Sequence, residues 1–219
     1  MKLKRLGILT ALLLCMTALC GCGDSFDAAA LLRGNLDLIY RNEYTPEFLE
    51  SAGFSPEEAE QKYRDGIEAE LEVFGDYFGV DLTLCGEEAK EKIRAFYRTA
   101  YSHAKYEVGS AVKGEDVYTV EVTVQPIDIM QKFRQLDADA FMAAWELRYR
   151  SGEFDAMSSG EYETAWLTAV LEALRPRLED VGHLAAETVP VRVEKSGEDG
   201  VYSVSAEDLG RIDGLMIGY

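Results

Sequence analysis

Few side chains in this sequence are suited to catalysis. The two histidines, His103 and His183, are not at a metal-ligand spacing, and no His-Glu-Xaa-Xaa-His motif is present. No Gly-Xaa-Ser-Xaa-Gly turn positions a serine nucleophile, and no glycine-rich loop is arranged to hold a phosphate. Carboxylates are too abundant to single out a pair. The sequence therefore predicts no catalytic residue, no metal site and no cofactor.

The chemistry that stands out lies near the N-terminus. Lys2, Lys4 and Arg5 precede an apolar run over residues 6–14, and small residues follow up to Gly21. This order of basic, apolar and small residues is typical of an export signal. The apolar run is far shorter than the roughly 20 residues that span a bilayer, so a retained transmembrane helix is the weaker interpretation.

A cysteine motif ends this segment. Leu19-Cys20-Gly21-Cys22 resembles the bacterial lipobox, in which a Leu and a small residue precede the cysteine that is lipidated. The resemblance implies cleavage between Gly21 and Cys22, acylation of Cys22 and anchoring at the outer face of the cell membrane. An ordinary secretory signal is the alternative. We thus expect a signal peptide over 1–21, a lipidated tether over 22–25 and one extracytoplasmic domain over 26–219.

The net charge and the cysteines exclude further classes of function. The chain has 22 Lys and Arg against 40 Asp and Glu, a net charge of −18, and loss of the three basic residues in 1–21 makes it −21. A surface of this sign repels nucleic acid, so nucleic-acid binding is excluded. The charge either attracts cations or only keeps the protein soluble. Cys85 is the single thiol left after lipidation, and an intrachain disulfide is not expected.

Aromatic residues are the feature of the predicted domain that most favours a binding function. The chain has 12 tyrosines and 2 tryptophans, which combine an apolar ring with a polar tip suited to sugars and protein surfaces. A candidate aromatic binding face is assigned to six of them, near predicted helix faces: Tyr40, Tyr44, Tyr97, Tyr101, Trp145 and Tyr149. The alternative is that these rings only border the core, with their hydroxyls reaching water.

Hydrophobic periodicity predicts the elements that carry these residues. Apolar residues at helical spacing predict helices over 26–40, 55–78, 87–104, 129–150, 161–181 and 207–219. Alternating residues predict one hairpin around 106–112 and 118–124, and another around 188–194 and 202–206. Pro190 places the first strand of the second hairpin at a sheet edge or a bulge.

The order helix, helix, hairpin occurs twice, which suggests a duplication over 27–128 and 129–219. Ser55, Glu58 and Tyr63 align at one constant offset with Ser158, Glu161 and Trp166. Coincidence between two amphipathic helices is the alternative. Two such hairpins are expected to join, so we predict an α+β fold with helices packed on a four-stranded antiparallel sheet.

The lipobox, the acidic body and the strand Tyr118-Thr-Val-Glu-Val-Thr-Val124 before Pro-Ile-Asp resemble uncharacterised lipoproteins of Gram-positive anaerobes. Some of those proteins have bodies similar to cystatin-like or NTF2-like folds, in which helices pack on a curved sheet. The resemblance implies an envelope lipoprotein and implies no catalytic residues. An NTF2-like order does not require the duplicated arrangement seen here.

The first functional hypothesis is a non-enzymatic binding or accessory domain at the cell envelope, whose partner is a protein, glycan or peptide. A small-molecule-binding lipoprotein of a transport system is the second hypothesis, and a carboxylate-based hydrolase is the third. A deep cleft between lobes favours the second, and convergent desolvated acids favour the third. An open aromatic surface favours the first.

Overall fold

The helices begin where short polar side chains satisfy free backbone N–H groups. The computed structural model describes residues 26–196 and 201–219, so the predicted cleavage and lipidation sites, Gly21 and Cys22, lie outside the described residues. The first helices are α1 (Ala28–Arg41), α2 (Pro46–Ala52), α3 (Pro56–Phe78) and α4 (Glu87–Tyr101). Asp27 caps α1, and Ser55 and Glu58 form the predicted reciprocal cap of α3.

Strands β1 (Lys105–Lys113) and β2 (Val117–Gln125) form the first hairpin. Helix α5 (Ile129–Lys132), a π-helical turn (Phe133–Asp137), α6 (Ala138–Arg150) and α7 (Ser159–Glu179) follow. The second hairpin is β3 (Glu187–Ser196) and β4 (Val201–Val204), and α8 (Ala206–Met216) comes last.

The two hairpins join into one antiparallel sheet in the order β1-β2-β3-β4. Val120 and Val122 of β2 lie opposite Val191 and Val189 of β3, so the apolar residues of the central strands share one face. Together with the helices this confirms the predicted α+β fold class with a four-stranded antiparallel sheet.

Three details differ from the sequence-based expectation. Helix α2 was not predicted, although Thr45 caps it and Pro46 occupies its first turn. The predicted helix over 129–150 contains the π-helical turn. Strand β3 lies between β2 and β4 and is not an edge strand. Strand β4 pairs only with Val193–Ser196, so Pro190 has no β4 residue opposite it.

The chain divides into two units, each with its own core. The sheet unit comprises residues 26–66, 104–126, 185–196 and 201–216. In it, α1 and α8 pack on the sheet, and the buried residues include Leu32, Leu36, Val122 and Ile212. The predicted duplication and the predicted single domain stay predictions.

The helical unit comprises residues 67–103, 127–184 and 217–219. In it α4 packs on α7, and Phe74, Ile93, Leu167 and Leu174 are buried. None of the helices within the described stretches combines the length and apolar character needed to cross a membrane.

Candidate binding groove

A cluster of five aromatic residues lies between α6 and α7 in the helical unit. Its members are Phe141, Trp145, Phe154, Tyr162 and Trp166, and we call them the aromatic cluster. Trp145 stacks on Phe154 with ring centres 4.6 Å apart, and it meets Trp166 edge-on at 4.9 Å. The Trp166 indole N–H donates to the Phe78 carbonyl at 2.8 Å. The cluster therefore holds α6 at a set distance from α7.

Arg148 of α6 lies over this cluster. Its guanidinium carbon is 4.7 Å from the centre of the Trp145 ring and 5.2 Å from that of Phe154. Its Nε and Nη2 donate to the Glu153 carboxylate at 3.1 and 2.7 Å. The hydrogen bonds that Arg148 donates to the Glu153 carboxylate raise the pKa of Arg148, so this cation has a fixed position and stays charged.

A groove of about 690 Å³ runs along α7 and is bordered by Arg148. Its other lining residues are the N-cap of α7 and residues from the first two thirds of that helix: Ser158, Gly160, Glu161, Thr164, Ala165, Thr168, Ala169 and Glu172. The 14 steps from residue 158 to 172 make the groove about 21 Å long at 1.5 Å per residue. Most of its lining side chains are small, so this face of α7 is left open to solvent.

The loop before α4 approaches the same part of α7. An ideal Cβ built on Gly160 would lie 2.9 Å from the Leu84 carbonyl oxygen, so only glycine allows this close approach. Cys85 is buried here, and burial raises the pKa of its thiol. A buried thiol of raised pKa is a poor nucleophile.

The polar groups of the groove are hydroxyls and carboxylates. Glu161 accepts hydrogen bonds from the Ser158 backbone N–H at 2.8 Å and from its hydroxyl at 2.7 Å, within the capping box of α7. The side-chain and backbone hydrogen bonds from Ser158 lower the pKa of Glu161. A general acid needs the opposite shift, so this arrangement suits ligand binding by hydrogen bonds and charge better than proton transfer.

The six aromatic residues proposed from the sequence are divided between the two units. Tyr40 and Tyr44 belong to the sheet unit, and the other four belong to the helical unit. Tyr40, Tyr97 and Tyr101 are buried, which places them in the cores and not on an exposed face. Their hydroxyls are bonded to Asp213, Tyr219 and Glu70, respectively. Tyr44 is partly buried.

Only Trp145 and Tyr149 of the six lie next to the groove residue Arg148, as neighbours on α6. Trp145 is buried within the aromatic cluster, whereas Tyr149 is 64% exposed, with its ring centre 6.5 Å from that of Phe154. Sequence reasoning missed the groove itself. Its signal was present in the small residues Gly160, Thr164 and Thr168, which recur every four positions on one helix face.

The sheet unit holds a second polar group of residues. The Tyr106 hydroxyl donates to Asp37 at 2.5 Å, the Tyr40 hydroxyl donates to Asp213 at 3.3 Å, and the two rings are 6.1 Å apart. Burial raises the pKa of Asp213 to about 6. Each carboxylate already has a tyrosine donor. Across the described residues, no three His, Cys, Asp or Glu side chains are grouped so as to hold a metal ion.

His103 and His183 come together in the helical unit. Nε2 of His183 lies 2.8 Å from the backbone carbonyl oxygen of His103, within hydrogen-bond distance. Ile127 and His183 also pair as an isolated β-bridge. These contacts tie two chain segments together, which is a structural role.

No family model matches this chain, and no curated protein sequence matches it. Among solved structures, it is similar to the crystal structure of a candidate lipoprotein, YcdA, from Bacillus subtilis, with a TM-score of 0.61 and 16% sequence identity. The match covers 87% of this chain and 56% of that one, so this chain spans little more than half the length of its structural neighbour. At this identity the likeness is one of fold.

Proposed function

We propose that this protein is a lipid-anchored, extracytoplasmic binding protein without enzymatic activity, and that its groove takes an extended segment of another polypeptide. The observation that carries the proposal is the distribution of exposed apolar residues. Of the nine large apolar or aromatic side chains exposed in the described residues, eight belong to the helical unit, which also contains the groove. Surface of this kind is typical of interaction sites.

The groove dimensions support a linear ligand. About 21 Å corresponds to six residues of extended chain at roughly 3.5 Å each. The groove opens to solvent along α7, whereas sites for small molecules enclose most of the ligand. Glu161 and Glu172 lie near its two ends and the net charge of the chain is −18, so we infer a preference for segments with basic side chains.

The anchor part of the proposal is supported by the lipobox-like motif and by the fold shared with a candidate lipoprotein of Bacillus subtilis. Only residues 23–25 separate Cys22 from Phe26, a span of at most about 14 Å. Phe26 stacks on Tyr202 at 4.1 Å and contacts Tyr118 at 5.4 Å. Lipid on Cys22 would therefore hold this corner of the sheet unit near the membrane surface.

The anchor is tested by metabolic labelling with a clickable fatty acid. The wild-type protein is expected to be labelled and processed, and Cys22→Ser is expected to stay unlabelled as a precursor. Undiminished labelling of Cys22→Ser, or native protein in the culture fluid with an unmodified amino terminus, refutes the anchor.

The groove is tested by selecting a displayed library of random heptapeptides against residues 23–219. Selected peptides are expected to be enriched in Lys and Arg and to lose at least tenfold in affinity against Thr168→Trp, because the indole fills the groove. Thr99→Trp, at an exposed position of α4, is the matched control and is expected to bind as wild type. Peptides that bind Thr168→Trp equally well, or selection of glycans alone on a parallel envelope-glycan array, refute the peptide groove.

A further inference from the structure

Helix α6 carries an apolar stripe on the side opposite the aromatic cluster. The stripe consists of Leu136 in the π-helical turn and Ala140, Ala143 and Leu147 in α6, at spacings of four, three and four residues. Leu136 is 63% exposed and Leu147 is 68% exposed, and both alanines are exposed. This spacing repeats every 3.5 residues, which is the pattern of a helix–helix seam. Two leucines exposed to this extent on one helix face leave apolar surface in contact with water.

The spacing of the stripe is the same in both directions along the helix. If a second copy of α6 packs antiparallel to the first, Leu136 lies opposite Leu147 of the other copy and Ala140 lies opposite Ala143. Each contact is then made twice, as a twofold axis requires. The alanines at the centre allow the helix axes to approach to about 8 Å. The stripe is therefore complementary to itself.

The charges at the ends of α6 select the antiparallel orientation. Its first turn carries Asp139, and its last turn carries Arg150, which also pairs with Glu146 of the same helix. Arg148 lies over the aromatic cluster on the other side of α6 and does not face the stripe. Antiparallel packing brings Asp139 of one copy to the end of the other copy that carries Arg150, and it also opposes the two helix dipoles. Parallel packing would place like charges together. Within the described part of the chain, Asp139 forms no ion pair of its own.

We propose that two copies of this protein associate through antiparallel α6 stripes on the membrane surface. The stripe is about 16 Å long, so the contact lies well below the roughly 1,000 Å² that a stable interface in solution needs. Confinement to a membrane raises the effective concentration enough for a weak contact to form. This association depends on the proposed lipid anchor, which would hold the protein at the membrane surface. The binding partner is a second copy of the same chain.

The test uses residues 23–219 with Cys85→Ala, attached by an N-terminal hexahistidine tag to vesicles with nickel-chelating lipid. This attachment does not depend on native lipidation. Mixed Leu136→Cys and Leu147→Cys proteins are expected to form a disulfide-linked heterodimer on mild oxidation. Leu147→Cys alone is expected to crosslink at least fivefold less, because antiparallel packing separates its two sulfurs by about 16 Å along the axis.

A second pair of variants tests whether the stripe itself is responsible. Ala143→Glu, added to the crosslinking pair, is expected to reduce the heterodimer at least tenfold. Met142→Glu is the matched control, because Met142 is 52% exposed, adjacent in sequence and outside the stripe. Its yield is expected to equal that of the parent. Circular dichroism melts of both variants verify that they are folded.

Three outcomes overturn the interface: no crosslinking on vesicles, equal crosslinking of all cysteine combinations, or preferential crosslinking of Leu147→Cys with itself. Fatty-acid labelling is a separate measurement. Failure of that labelling refutes the anchor and leaves the crosslinking result standing, so failure of the interface and failure of the anchor are distinguished.

Discussion

The two units of this protein both bury paired polar side chains, but they differ in how many large apolar side chains they expose. In the sheet unit, Tyr106 is paired with Asp37, and Arg192 is paired with Asp208, which is 2% exposed. In the helical unit, apolar side chains remain outside, as Leu136, Leu147 and Tyr149 do. Buried polar pairs occur in both units, since Tyr101 donates to buried Glu70 in the helical unit, whereas exposed apolar surface is concentrated in the helical unit.

This difference separates structural residues from interacting ones. Burial raises the pKa of Asp208, but hydrogen bonds from the Arg192 guanidinium and backbone N–H lower it more, and the net shift is downward. Such a carboxylate is committed to holding β3 against α8. The exposed leucines of α6 and the groove along α7 contribute little to either core. We therefore expect mutations in the sheet unit to change stability and mutations on the helical surface to change association.

Removal of residues 187–219 is expected to have the largest effect. It deletes β3, β4 and α8 and leaves an uncovered β1–β2 hairpin, which is marginal alone. The sequence-based prediction of a single domain requires that no cooperative transition remain. Thermal unfolding followed by circular dichroism checks this. A truncated chain whose helices still melt cooperatively would show that the helical unit is independent.

Trp145→Ala is expected to destabilise the protein by about 3–5 kcal/mol, because it leaves a cavity in the aromatic cluster. Tyr149→Ala, four residues further along α6, removes a ring that is 64% exposed and is expected to change stability by less than about 0.5 kcal/mol. Urea unfolding monitored by circular dichroism measures both. Equal losses for the two variants would contradict the distinction between the cluster and the exposed ring.

Two glycine substitutions in helices are expected to act in opposite directions. An ideal Cβ on Gly34 of α1 would lie 2.1 Å from Cδ2 of Phe48, so Gly34→Ala is expected to cost about 1–3 kcal/mol despite the higher helix propensity of alanine. Nothing lies within 4 Å of the corresponding Cβ on Gly66 of α3. Gly66→Ala is expected to stabilise by about 0.5–1 kcal/mol. Denaturant midpoints that move in the same direction would argue against the close α1–α2 contact.

Asp213→Asn is expected to change stability only above about pH 4. Burial raises the pKa of Asp213 to about 6, above its unfolded value of about 3.9. The stability that protonated Asp213 contributes is therefore complete below about pH 4 and is lost as the pH rises through 6.

Asp213→Asn stays neutral and keeps an acceptor for the Tyr40 hydroxyl. It is expected to be more stable than wild type at pH 7.5, by on the order of 1 kcal/mol because the site is only partly buried, and equal to it at pH 4. Asp76→Asn, at an exposed position of α3, is the matched control. A stability difference that does not change between the two pH values would contradict the raised pKa.

Local patterns predicted most of the elements. Helix caps and alternating strand residues act over a few positions, so the sequence alone predicts them. Examples are the capping residues of α3 and α7 and the alternating valines of β2 and β3. Helix α2 was missed because its seven residues are too short for a periodic signal. The π-helical turn was missed because one extra residue in a turn leaves the overall apolar spacing almost unchanged.

By itself, the sequence determined the export motif, the acidic charge, the helices and the way two alternating hairpins share a face. Tertiary structure alone decided which aromatic residues are buried, since helical spacing identifies one face of a helix and not its partner. It placed Tyr97 in a core and left Tyr149 outside. The groove also arises only in three dimensions, because it lies between small residues of α7 and Arg148 of α6, which are far apart in the sequence. Side-chain sizes are written in the sequence, but the distance between two helices depends on how all of them pack.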